Sequence, residues 1–77
     1  MIRWQIVLDT MKDVNAFVNI VTKYKEDFVV TDSENNFKVN AKSMMGMLYS
    51  TEWSGDVFLT CETEPKGLYN ELADYIR

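Results

Sequence analysis

The stretch Lys42–Ser43, followed by "MMGMLYS", puts a hydroxyl where a helix must begin and an ammonium group beside it. A serine in that place caps the first turn, because its oxygen accepts an N–H that has no partner inside the helix. A phosphate is also at home there, since free N–H groups, the helix dipole and a lysine such as Lys42 or Lys38 all favour negative charge. Capping serines are the more numerous, so residue type alone leaves Ser43 a cap first and a modification site second. The apolar residues behind it pose a second question. On helical spacing Met44, Met47 and Leu48 share one side, and Met45 and Tyr49 another. A short helix cannot turn them all inward. Methionines make adaptable contact surfaces and also fill gaps in small cores, so core and interface both fit the pattern.

Little else offers chemistry. Asp9, Asp13, Glu26 and Asp27 are carboxylates, but each lies at a cap or turn, where a solvated acid is the ordinary state. There is no histidine among the 77 residues, which removes the commonest general base and metal ligand. Cys61 is the one cysteine, so no internal disulfide forms, and within "DVFLTCE" it reads as a small strand residue. The loop "DSEN" has oxygen ligands but lacks the glycine and distal glutamate of a calcium loop. Gly46, Gly55 and Gly67 are isolated, so there is no phosphate-cradling loop. The residues describe no enzyme, no metal site and no cofactor.

Net charge is −4, and the eight basic residues are scattered from Arg3 to Arg77 without a basic stripe. An acidic surface repels phosphate backbones, so direct nucleic-acid binding is not expected. The opening "MIRWQIVLD" reads as a strand and not as a leader, and no apolar run is long enough to span a bilayer. A soluble cytoplasmic protein with no membrane contact is the expectation. An apolar fraction of 47% is enough for one small core, so residues 1–77 make a single domain.

The elements follow from hydrophobic period. Ile2, Trp4, Ile6 and Leu8 alternate, predicting a strand over 2–8. Val14, Phe17, Val18 and Val21 then recur at helical spacing, with Asp9, Thr10 and Asp13 available as caps. "DFVVT" and "FKVNA" are strands joined by the polar hairpin "TDSENN". Ser43 opens the short helix, "TEWSG" turns the chain, and "DVFLTCE" is a fourth strand. Pro65 stands near the first turn of a last helix whose buried face is Leu68, Leu72, Tyr75 and Ile76. The order β-α-β-β-α-β-α closes a core if a four-stranded sheet carries its helices on one face.

Residues 39–48, "VNAKSMMGML", resemble the "VN-x-KS-[IM]-MG" signature of HPr, the small phosphocarrier of the bacterial sugar phosphotransferase system. Element order and length are similar too. The resemblance implies an α+β fold, the HPr-like open-faced β-sandwich, with a four-stranded antiparallel sheet and three helices on one face. It also exposes a departure. HPr carries its phosphoryl group on a histidine at the start of the first helix, in a motif like H-A-R-P-A. That position falls at Lys12 counting back from Lys42–Ser43, or at Asp13 when the first strands are matched. Neither is histidine, and the motif's arginine and proline are missing from "MKDVNAF".

The other half of the family's biology is what the resemblance leaves. In HPr-like proteins of Gram-positive bacteria the serine of the "KS" pair is phosphorylated by an HPr kinase/phosphorylase. The phosphoprotein then assists a catabolite-control regulator. That serine corresponds to Ser43, and the family's apolar docking surface corresponds to Met44, Met45 and Leu48. The catabolite-repression variant of HPr shares this combination, lacking the histidine and keeping the serine. Three readings result: a regulatory protein switched at Ser43, a binding module in which Ser43 is only a cap, and a carrier using Asp13 as an acyl-phosphate acceptor.

Overall fold

The computed structural model describes all of residues 1–77. Strands β1 (Ile2–Ile6), β2 (Val29–Asp32), β3 (Lys38–Asn40) and β4 (Val57–Cys61) form one antiparallel sheet in the order β1-β4-β2-β3. Helices α1 (Met11–Val21), α2 (Met44–Ser50) and α3 (Leu68–Leu72) pack against one side of it. The last strand in sequence is thus central, between the first and the second. Register explains the two faces. Trp4 opposes Leu59 and Leu59 opposes Val30, so these side chains point together toward the helices. Gln5, Phe58, Thr31 and Lys38 lie opposite one another on the other, open face.

The core holds Ile6, Val30 and Leu59 of the sheet against Val14, Phe17, Val18 and Val21 of α1, Met47 of α2, and Leu68 and Leu72 of α3. Cys61 is buried with them, its thiol near the Thr63 carbonyl. Of the three caps open to α1, Thr10 is the one used. Its hydroxyl accepts the Asp13 N–H at 3.1 Å, and the Asp13 carboxylate accepts the N–H groups of Asp9 and Thr10 at 3.0 and 3.3 Å. This reciprocal box satisfies donors that the first turn leaves free.

Two elements differ from the expectation. The first strand stops at Ile6, because Ile6 opposes Val57, the first residue of β4, and beyond it there is no neighbouring strand. Val7 instead donates its N–H to the Tyr75 carbonyl at 2.7 Å, and Ile76 bridges Ile6, so the C-terminal segment covers the outer edge of β1. The last helix begins only at Leu68. Pro65 lies ahead of it, separated by Gly67 at φ 89°, a left-handed conformation that a side chain would strain. It ends at Leu72 in a tight 3-10 turn, Ala73–Tyr75, so Ile76 reaches the core as extended chain and not on a helix face. No helix is long and apolar enough to cross a membrane.

The ends of α1 and α3 are tied at the surface. Glu71 receives Lys23 Nζ at 2.7 Å and the Tyr24 hydroxyl at 2.5 Å. The Lys23 hydrogen bond, then that from Tyr24, holds the Glu71 carboxyl below its ordinary value. The same hydrogen bond to Glu71, with partial desolvation and the nearby negative charges, raises the Tyr24 phenol.

Candidate functional site

Ser43 is the N-cap of α2, and its hydroxyl accepts the Gly46 N–H at 3.1 Å. The preceding chain is fixed by two further hydrogen bonds. Ser43 N–H reaches the Asn40 carbonyl at 3.0 Å, and Lys42 N–H reaches the Asn40 side chain at 2.9 Å. Gly46 lets α2 lie close on β3: a Cβ there would stand 3.2 Å from the Val39 Cβ and 3.4 Å from the Asn40 carbonyl oxygen. The spacing of the signature therefore has a local cause, since the cap fixes the first turn and the glycine permits the close approach.

The lysine does not stay with the serine. Lys42 Nζ donates to the Tyr24 carbonyl at 2.5 Å and lies 5.6 Å from the Phe28 ring centre, so it braces the end of α1. Lys38 projects on the open face, opposite Thr31. Of the donors expected around a phosphate on Ser43, the backbone N–H groups of the first turn are in place and the two lysines are turned to other partners or another face.

The apolar residues divide unequally. Met47 is completely buried, Met44 is partly buried against the core, and Met45 and Leu48 are 81% and 37% exposed. The side shared by Met44, Met47 and Leu48 is therefore core only along its middle. Seven residues make two turns, and the single row that faces the sheet is Met47 with Ser50. Ser50 is buried in that row, its hydroxyl satisfied by donating to the Met47 carbonyl at 2.6 Å.

Neither register candidate for the family histidine opens the first helix. Thr10 caps it and Met11 is its first residue, so Lys12 and Asp13 are its second and third. The Asp13 carboxylate is occupied by the capping box, and this structure gives it no second role. No group of three or more cysteine, aspartate or glutamate side chains comes together that could hold a metal ion.

A feature that residue-by-residue reading missed lies at the far end of α2. Tyr49 meets Trp53 edge-on, with ring centres 5.9 Å apart, and Trp53 stacks on Phe37 at 5.8 Å. The Tyr49–Trp53 spacing of four was visible in the sequence, but Phe37 belongs to the strand hairpin and only the fold brings it there.

No family model matches the chain, and no curated protein matches it significantly. Among solved structures, the chain is similar to "HPr-C-His" from Thermoanaerobacter tengcongensis. The two share 26% identity with a TM-score of 0.71, over 96% of this chain and 89% of that one. Strand number, pairing and the placement of three helices agree with what the sequence signature implied. The chain is an HPr-like protein.

Proposed function

We propose that this protein is a regulatory, non-enzymatic HPr-like partner-binding protein of the cytoplasm, docking through the 43–49 helix and switched by phosphorylation at Ser43. The observation that carries the reading is the pairing of a half-buried serine at the start of one short helix with exposed apolar side chains, Met45 and Leu48, on it. Met44 adds its exposed part to that surface. A large apolar side chain that water surrounds has a ready use in a protein contact. The absence of histidine removes phosphoryl transfer by the family's route. The partners in view are an HPr kinase/phosphorylase and a catabolite-control regulator, as in the family it resembles.

A second reading has its own support. Ser43 is fully employed as a cap, and Lys42 is turned away from it, so the serine has a structural reason to be there. On that reading the chain is an HPr-fold binding module without phosphorylation. Incubation with an HPr kinase and ATP separates the two. The switch requires one added phosphate by mass spectrometry, mapped to Ser43 and absent from Ser43→Ala. If several such kinases, the host's own included, leave Ser43 unmodified, the switch is refuted and the plain binding module stands.

A further inference from the structure

We propose that the aromatic cluster at the end of α2 is a docking site for an arginine-bearing segment of another protein. Three rings build it. Phe37 and Trp53 are nearly parallel, at 26°, while Tyr49 stands almost perpendicular to Trp53, at 87°. Phe37 and Tyr49 are each about half exposed. The rings hold one another, so a group arriving on them freezes little new motion.

Charge selects the group. Glu52 sits one turn beyond Tyr49, its N–H bonded to the Tyr49 carbonyl at 3.0 Å, which places the two side chains as neighbours. Asp56 shares with Trp53 the wall of a cavity of about 290 Å³. Asp32 accepts the Asn36 and Phe37 N–H groups at 2.7 and 3.1 Å. None of these carboxylates has a cationic partner, because the chain's single ion pair is Lys23–Glu71. Arg77 lines the cavity too, yet makes no ion pair with Asp56. The surface thus offers aromatic faces beside carboxylates that no cation of the chain pairs with, Arg77 included.

A guanidinium suits both. Its flat face stacks on an aromatic ring while its N–H edge pairs with a carboxylate. An ammonium supplies charge but no plane, and an acidic or purely apolar segment leaves the carboxylates unmet. The chain contains a related arrangement elsewhere, with a backbone carbonyl in the place of the carboxylate. Arg3 lies 4.1 Å over the Phe58 ring on the open sheet face while donating to the Ser33 carbonyl at 3.2 Å. The inference is independent of phosphorylation at Ser43.

The test titrates the full chain with a blocked glycine-spaced peptide carrying two arginines, and with its lysine and citrulline counterparts, followed by amide and indole chemical shifts. Shifts are expected at Phe37, Tyr49, Glu52, Trp53 and Asp56, with the arginine peptide bound about fivefold more tightly than the lysine peptide and the citrulline peptide not bound. Tyr49→Leu and Glu52→Gln each weaken the arginine peptide about fivefold; both side chains are exposed, so the fold survives. Equal affinity for arginine and lysine peptides, shifts centred on Glu62 and Glu64, or wild-type binding by both variants overturns the proposal. Loss of binding in Ser43→Ala, which leaves every ring and carboxylate of the cluster in place, overturns its independence from the serine.

Discussion

Met45 and Met47 stand two residues apart on the same helix, and replacing each should separate recognition from folding. Met47 is 0% exposed, so Met47→Ala removes a packed side chain and leaves a void beneath α2; such truncations cost about 2–5 kcal/mol. Met45 is 81% exposed and has little burial to lose. Full burial of a methionine contributes about 1.5–3 kcal/mol, so the covered fifth contributes at most about 0.6 kcal/mol. Aspartate is a poorer helix former by a few tenths, but an acid in the first turn regains about 0.3–1 kcal/mol from the helix N-terminus. Met45→Asp should therefore fold within about 0.5 kcal/mol of the wild type and lose the partner contact. Urea denaturation read by far-ultraviolet circular dichroism gives both stabilities from midpoint and slope. A loss above about 2 kcal/mol in Met45→Asp would show Met45 to be core, and the docking reading of α2 would fail with it.

Further outcomes follow from the same geometry. Ser43→Ala loses the hydrogen bond to Gly46 and should cost about 0.5–2 kcal/mol in the same denaturation experiment; no change would mean that the hydroxyl does not cap α2 in solution. Gly46→Val forces a side chain toward the Val39 Cβ and the Asn40 carbonyl, and about 1–3 kcal/mol of destabilisation is expected, checked by the thermal midpoint. For the Lys23–Tyr24–Glu71 tie, the depressed Glu71 group adds stability above its unfolded value that is lost as pH falls through the folded one. The raised Tyr24 group adds stability below its unfolded value that is lost as pH rises through the folded one. Glu71→Gln should flatten the acid limb of the stability–pH curve, and an unchanged limb would refute the tie. With no histidine, the protein should take no phosphate from phosphoenolpyruvate through enzyme I, and labelled transfer onward to a sugar permease would contradict this.

Much of the fold was legible because amphipathic period is a local property. The run Val14, Phe17, Val18, Val21 names one face of α1, and Leu59 and Cys61 name the inner face of β4, whatever else the chain does. Ser43 as a cap was legible for the same reason, since an N-cap acts on the three residues after it. Strand order was not. Burial has no direction along the chain, so the alternation in β4 does not say that it lies between β1 and β2. The division of α2 was also decided by packing: in two turns, period cannot select among Met44, Met47 and Leu48, whereas the close approach of Gly46 to β3 sets which row meets the sheet. The same limit applied to Lys42, whose flexible stem reaches the Tyr24 carbonyl 18 residues earlier instead of the serine beside it. Phe37 met Trp53 only because the β2–β3 hairpin folds back beside the end of α2. The chain alone thus fixed the elements, the cap and the missing histidine, because each depends on neighbours in sequence. Which methionine is exposed, where the lysine points and which rings touch depend on residues far apart, and the closed core alone decided them.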